Sequence, residues 1–156
     1  MNGGNPVEPI FLHATVLIIG ESGLLLRGPS GSGKSSLAAA LCDEAQRRRW
    51  FARLVGDDRV SVSAQSGRLI ARPHPAIPGL LERRGLGLVP VSHEPACVVG
   101  YVCDLVPTPE RLPADNELVN LAGLSLPCLR LSFRPDDAMR KLIFTWIGVH
   151  SRFNLD

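Results

Sequence analysis

Residues 28–35 have the types and the spacing of a loop that binds phosphate groups. They read Gly-Pro-Ser-Gly-Ser-Gly-Lys-Ser, which satisfies the pattern Gly-x-x-x-x-Gly-Lys-Ser/Thr without gaps. Glycines let such a loop point its backbone N–H groups at phosphate oxygens, and the helix after it adds the positive end of its dipole. Lys34 is expected to reach the β- and γ-phosphates of a nucleotide, and Ser35 to bind Mg²⁺. The sequence therefore predicts a nucleotide site formed by Gly28, Pro29, Ser30, Gly31, Ser32, Gly33, Lys34 and Ser35.

Adjacent carboxylates at Asp57 and Asp58 form a second candidate site. They follow a short apolar stretch that ends at Gly56. Because side chains alternate along a strand, the two carboxylates need not face the same way. One could accept the proton of an acceptor hydroxyl while the other orients a neighbour or the metal. An acidic pair is equally typical of a solvated turn, and the phosphate-binding loop upstream is what favours the catalytic interpretation.

The elements around these residues predict an α/β domain with a mixed β-sheet flanked by helices. A β-branched apolar run predicts a strand over 15–19, and an apolar run predicts a second strand over 24–27 after a turn. Alanine-rich residues predict a helix over 35–48. A hairpin directly before the phosphate-binding loop argues against a regular doubly wound sheet. Further along we expect strands over 60–64, 68–71, 98–106 and 126–133, a loop over 107–118, and a closing helix over 136–149.

The closing helix is expected to pack into the core near the helix that follows the phosphate-binding loop. Its apolar stripe consists of Met139, Leu142, Ile143, Trp146 and Ile147. We expect residues 1–9 to form a flexible tail and residues 10–156 a single domain.

Composition excludes several classes of protein. A net charge of +2 is too small to favour nucleic acid by bulk electrostatics. The longest apolar runs fall far short of the ~20 residues of a membrane span, so no membrane partner is expected. The four cysteines form no Cys-x-x-Cys pair and are interpreted as small buried residues, which favours a cytoplasmic location. The basic run 47–49 is interpreted as the end of a helix or, alternatively, as a docking patch for an acidic partner.

Four segments occur in an order that is typical of one protein family. They cover 12–16 (Leu-His-Ala-Thr-Val), 23–28 (Gly-Leu-Leu-Leu-Arg-Gly), 56–60 (Gly-Asp-Asp-Arg-Val) and 81–87 (Leu-Glu-Arg-Arg-Gly-Leu-Gly). Through them the chain resembles the catalytic domain of the HPr kinase/phosphorylase family. The resemblance implies a nucleotide site like that of phosphoenolpyruvate carboxykinase, with ATP and Mg²⁺ as cofactors. It also implies phosphorylation of a serine of HPr, a small phosphocarrier protein of the sugar phosphotransferase system, and a reversal that uses phosphate and releases pyrophosphate.

The resemblance also implies roles for individual residues. Asp58 would take the proton of the serine, and His13 would lie beside the acidic pair that Asp58 forms with Asp57. Ser35 and Glu82 would hold Mg²⁺ or help a second ion to bind. The segment 81–87, which we call the signature segment, would contribute Glu82, Arg84, Gly85, Leu86 and Gly87. Family members assemble into rings, often hexamers, so a homo-oligomer is a further expectation.

Departures from the family pattern leave other functions open. The family usually carries an additional N-terminal domain, whereas the catalytic segments of this sequence begin at residue 12. We therefore expect a short form limited to the catalytic domain. The segment 134–137 does not match the family's Gly-Arg-Asn element near the dephosphorylation site, which favours the kinase over the phosphorylase activity. The alternatives are a nucleotide-sensing module without turnover and a small-molecule kinase. A lone histidine such as His13 can also be a core residue, and 82–84 can be a surface salt-bridge cluster.

Overall fold

The computed structural model describes residues 8–75, 79–83, 85–109 and 117–153, with side chains described up to residue 150. Nine strands form one mixed sheet, and two more form a separate hairpin. The strands are β1 (Ile10–Leu12), β2 (Ala14–Ile19), β3 (Ser22–Arg27), β4 (Ala52–Gly56), β5 (Val60–Gln65), β6 (Arg68–Pro73), β7 (Leu80–Arg83), β8 (Gly87–Pro90), β9 (Cys97–Val106), β10 (Leu118–Leu121) and β11 (Leu124–Ser132). The helices are α1 (Lys34–Arg47) and α2 (Asp137–Phe153).

The strand order places β9 in the middle of the large sheet. Along the main path the order is β1-β5-β6-β9-β3-β2-β4. β9 is parallel to β3 on one side. On its other side the first residues of β9 pair antiparallel with β6, and the later residues pair parallel with β11. The carboxyl ends of β3, β9 and β11 therefore lie at one edge of the sheet, which is where ligands bind in α/β folds.

Side-chain alternation along the strands builds two hydrophobic clusters on opposite faces of the sheet. Leu24 and Leu26 belong to the cluster that also contains the apolar residues of α1 and α2. Leu25, between them, belongs to the other cluster, with the β5–β6 hairpin. Both helices thus cover the same face, as expected for a C-terminal helix that packs near the helix of the phosphate-binding loop.

The predicted strands are confirmed, with small changes at their ends. β2 and β3 form an antiparallel hairpin that leads into the phosphate-binding loop. β5 and β6 form the second predicted hairpin, and its turn places Ser66 and Gly67 at positive φ angles of 52° and 77°. The predicted central strand is β9. The predicted last strand begins two residues earlier than expected, at Leu124.

Both predicted helices are confirmed. The apolar stripe of α2 was predicted correctly at four of its five positions. Leu142 is 45% exposed, so its assignment to the core was wrong, and the neighbouring Phe144, which is 1% exposed, takes that place. Ile143 and Ile147 are also buried and Met139 and Trp146 pack against the same cluster, so the inward face of α2 is the predicted stripe with Phe144 in place of Leu142. No helix in the described part of the chain is long and apolar enough to cross a membrane.

The end of α1 explains most of the basic run. The guanidinium groups of Arg47 and Arg48 both pair with Glu44, at 2.6 Å and 3.0 Å. Arg48 also lies over the ring of Phe144, 4.5 Å from its centroid, which joins α1 to α2. These contacts favour the interpretation of the run as a helix end, where cations face the negative end of the dipole.

Four strands were not predicted, and parts of two predicted segments fall outside the described residues. Residues 1–7 of the expected tail and 110–116 of the expected loop lie outside them. β1, β7, β8 and β10 were not predicted.

All four cysteines are free thiols, and burial raises the pKa of Cys42 to about 11 and that of Cys97 to about 12. These thiols therefore remain protonated at neutral pH, which agrees with their interpretation as small buried residues.

Candidate functional site

The phosphate-binding loop connects β3 to α1, and its glycines are required by its geometry. Gly31 and Gly33 have φ angles of 82° and 100°, in the left-handed region that favours glycine. A Cβ atom on Gly28 would lie 2.6 Å from the hydroxyl oxygen of Ser32 and 3.1 Å from the Cβ atom of Leu105 on β9. The loop can therefore lie close to the central strand only because position 28 has no side chain.

Lys34 is the first residue of α1 and is 6% exposed. Its ammonium group donates to the carbonyl oxygens of Gly28, at 2.7 Å, and Pro29, at 3.2 Å. Burial lowers the pKa of Lys34, and the carboxylates of Asp58 and Asp57 oppose that shift. The phosphate-binding loop thus holds the ammonium group of Lys34 against its own backbone carbonyls.

The carboxylate of Asp57 joins three elements in the interior. It is 5% exposed and accepts hydrogen bonds on both oxygens from the hydroxyl of Ser35, at 2.8 Å and 2.9 Å. The hydroxyl of Thr15, on β2, donates to Oδ1 at 2.7 Å. The backbone N–H of Glu82, on β7, donates to Oδ2 at 3.2 Å. Asp57 therefore fixes the start of α1 against the sheet and against the hairpin of the signature segment.

Replacing Thr15 by Val should destabilise the protein, because it removes one donor from a buried carboxylate while keeping the size of the side chain. The expected loss in the free energy of unfolding is about 1.5–3 kcal/mol, as for other hydrogen bonds to charged groups. Urea unfolding monitored by circular dichroism measures it. Thr15→Ser keeps the hydroxyl and is the control. An unchanged unfolding midpoint for Thr15→Val would mean that the hydrogen bond contributes nothing.

Asp58 faces away from its buried neighbour. Its backbone has a φ angle of 66°, which is uncommon for a residue with a side chain and is often found at functional sites. One carboxylate oxygen of Asp58 lies 2.6 Å from Nε2 of His13. About half of each side chain is exposed, 52% for His13 and 57% for Asp58. The pair is thus accessible to a second molecule, whereas Asp57 is not.

Asp58 also borders an open cleft of about 500 Å³ beside the phosphate-binding loop, which we call the phosphate cleft. Lys34 and Ser35 line one side of this cleft, and Glu82 lines it from the hairpin. Of the residues predicted from sequence, the structure therefore brings together His13, Lys34, Ser35, Asp57, Asp58 and Glu82.

The rest of the signature segment lies in the β7–β8 hairpin. Gly85 lies in its turn and Gly87 begins β8, with φ angles of 82° and 78°. Leu86 is 77% exposed at the tip. Arg84 lies outside the described residues. The segment therefore contributes Glu82 to the cleft, whereas its glycines shape the turn.

Two arginines of the cleft were missed by the sequence analysis. Arg134 lies just after β11, and its backbone N–H donates to the carbonyl of Ser32 at 2.9 Å, within the phosphate-binding loop. Arg140, on α2, donates to the carbonyl of Pro135 at 2.9 Å. Both line the cleft. The signal that could have located Arg134 was the pairing of β11 with β9, because parallel strands end at one edge of a sheet, but the sequence does not reveal that pairing.

The donor set next to the loop fits a magnesium ion. A hydroxyl at the start of the helix beside an acidic side chain from a neighbouring strand is the arrangement by which P-loop proteins hold Mg²⁺, and Ser35 and Asp57 have it. Oxygen ligands are what Mg²⁺ prefers. Within the described ranges, no group of three or more His, Cys, Asp or Glu side chains could hold a metal ion.

Sequence comparison relates the chain to HPr kinases. Residues 7–94 match the family model described as the HPr Serine kinase C-terminal domain. A protein of Clostridium beijerinckii named HPr kinase/phosphorylase is 32% identical over 141 residues, which cover 80% of this chain and 43% of that protein. A protein of the same name from Streptococcus thermophilus is 31% identical over 137 residues, which cover 80% and 42%. The chain thus spans less than half the length of these curated relatives.

Structural comparison gives the same fold. The solved structure described as the Hpr(Ser) kinase/phosphatase from Coxiella burnetii matches with a TM-score of 0.75 at 24% sequence identity. The match covers 94% of this chain and 99% of that one. The α/β fold expected from the sequence, a mixed sheet flanked by helices, is thereby confirmed. Because the family model matches more than half of its residues, the chain belongs to the HPr serine kinase C-terminal domain family.

Proposed function

We propose that this chain is an ATP-dependent protein kinase domain that phosphorylates a serine of an HPr-like phosphocarrier protein. The single observation that carries the proposal is the position of Asp58. Its half-exposed carboxylate borders the phosphate cleft and is held by His13 at 2.6 Å. A carboxylate between a phosphate-binding loop and solvent can receive the proton of a hydroxyl group that enters from outside.

The phosphate-binding loop would hold the triphosphate of ATP. Its backbone N–H groups and the start of α1 favour anions, and Lys34 adds a full positive charge. Ser35 and Asp57 would ligate Mg²⁺, with Glu82 close enough to take part. Mg²⁺ bound there would neutralise charge on the phosphates. Arg134 and Arg140 add two further cations along the same cleft.

Asp58 would act as the general base. It takes the proton from the serine hydroxyl as that oxygen bonds to the γ-phosphorus and the bond from this phosphorus to the β-phosphate oxygen breaks, which leaves ADP and phosphoserine. His13 orients the carboxylate by its contact with Oδ1. In a reverse reaction with inorganic phosphate, the protonated carboxyl of Asp58 would return its proton to the serine oxygen, as microscopic reversibility requires. We further propose that the protein works in the cytoplasm and as a homo-oligomer.

Mass spectrometry of the acceptor tests the proposal. The purified protein is incubated with Mg-ATP and with the HPr-like carrier of its own organism, and the expected result is a gain of one phosphoryl group on a serine. A carrier with that serine changed to alanine is the control. A carrier that keeps its mass at high enzyme concentration, with nucleotide still bound to the protein, would contradict the proposal and would favour a nucleotide sensor or another acceptor.

A further inference from the structure

A second groove is lined in part by His13. It has a volume of about 300 Å³ and is lined by Phe11, Leu12, His13, Arg59 and His74. The ring of Phe11 is 64% exposed and lies 6.3 Å from the ring of His74. An exposed aromatic ring beside cationic and imidazole groups forms an amphipathic surface of the kind that is enriched at protein interfaces.

The groove and the phosphate cleft meet at the acidic pair. Asp58 borders the cleft, His13 borders the groove, and the two side chains are in contact. Arg59 follows Asp58 directly, and its backbone N–H donates to the carbonyl of Asp57 at 2.8 Å. The carbonyl of Arg59 in turn accepts from the backbone N–H of His74 at 3.1 Å. The turn at 57–59 therefore lies where the two cavities meet, and a molecule that contacts His13 in the groove can reach the carboxylate of Asp58.

An edge strand forms the wall of the groove. β1 pairs with β5 through residues 10–12, and in the described part of the chain it has no partner on its other side. Ile10 and Phe11 on this strand are 45% and 64% exposed. An exposed strand edge offers N–H and C=O groups to an extended segment of another chain.

We propose that this groove binds the segment of the acceptor protein that carries the phosphorylated serine. The inference rests on the proposed function, because it assigns the protein substrate to that same site. An apolar side chain next to the serine would pack on Phe11, since this ring is the exposed apolar group of the groove. Arg59 has only donors, so it would face a carbonyl or carboxylate of the same segment. The serine hydroxyl would then lie at Asp58 while the triphosphate occupies the cleft.

A binding measurement with matched variants tests this assignment without catalysis. The HPr-like carrier is titrated into the full chain in the presence of Mg²⁺ and a non-hydrolysable ATP analogue, by calorimetry. Phe11→Ser should weaken the binding of the carrier by about tenfold, the loss of one aromatic anchor, and should leave binding of the analogue unchanged. Arg59→Gln should also weaken the binding of the carrier.

Phe51 provides the matched control. It is also an exposed phenylalanine, 49% accessible, but it precedes β4 at the opposite edge of the sheet. Phe51→Ser should bind the carrier as the wild type does. An equal loss in both variants, an unchanged affinity in Phe11→Ser, or a wild-type protein that does not bind the carrier would each overturn the inference.

The phosphorylation assay separates this inference from the proposed function. If the carrier binds in a way that depends on Phe11 but receives no phosphate, the kinase function is wrong and the docking site stands. If the carrier is phosphorylated and its KM is the same for Phe11→Ser and for the wild type, the function stands and the docking site is wrong. Support for both requires a KM that rises about tenfold in Phe11→Ser at an unchanged kcat.

Discussion

Replacing Asp58 by Asn should lower the rate of serine phosphorylation by about 10²–10⁴-fold, the usual contribution of a general base. The amide has the size of the carboxylate but cannot take a proton at that position. Because the phosphates are expected to bind at Lys34 and the loop amides, whereas Asp58 lies at the border of the cleft in contact with His13, nucleotide binding should be retained. Single-turnover phosphorylation of the carrier gives the rate, and titration with a fluorescent ATP analogue gives the affinity.

Asp43→Asn is the control for the change of charge. Asp43 is an exposed aspartate on α1 and does not line the phosphate cleft. The Asp43→Asn variant should phosphorylate the carrier at the wild-type rate. A wild-type rate in Asp58→Asn would remove Asp58 from the role of base, whereas a loss of nucleotide binding in this variant would mean that the carboxylate also shapes the cleft.

Local signals in the sequence predicted the parts of the site that are local in the chain. The phosphate-binding loop, the hairpin before it and the helix after it occupy consecutive residues, and each has its own pattern of glycines or apolar residues. The acidic pair was also located, and the family resemblance named Asp58 as the base. The residues alone did not indicate which carboxylate is buried, because that depends on partners from distant segments: Thr15 for Asp57 and His13 for Asp58.

The parts of the site that come from distant segments were not predicted. Arg134 reaches the phosphate-binding loop because β11 is parallel to β9, and strand order is a property of the whole sheet. The groove at Phe11 depends on the pairing of β1 with β5, two strands that are far apart in sequence. β1 has only three residues, and its exposed side chains give no apolar alternation. Short edge strands lack the burial pattern on which strand prediction depends.

Glu82 links the signature segment to Asp57 through its backbone. Its N–H group donates to Asp57, so the hairpin is held by the same carboxylate that holds Ser35. A backbone donor can be supplied by any residue except proline. The identity of residue 82 therefore matters only for its carboxylate in the cleft, whereas the position of the hairpin depends on Asp57.

Replacing Lys34 by Ala should lower the rate of phosphorylation by about 10²–10³-fold, the loss found when one donor to developing charge is removed. It should also weaken ATP binding, because the ammonium is the one full positive charge within the loop itself. The same measurements of rate and affinity apply.

Two further variants make the result for Lys34 specific. Lys141 is the other lysine of the chain and pairs with Asp137 on the exposed side of α2, so Lys141→Ala should leave both quantities unchanged. Lys34→Arg keeps the charge but replaces a compact ammonium by a planar group, which fits the carbonyls of Gly28 and Pro29 poorly. It should therefore recover part of the affinity and little of the rate. If Lys34→Ala unfolds at the wild-type temperature and still phosphorylates the carrier at the wild-type rate, the loop is not the site of phosphoryl transfer, and the whole assignment of the cleft is wrong.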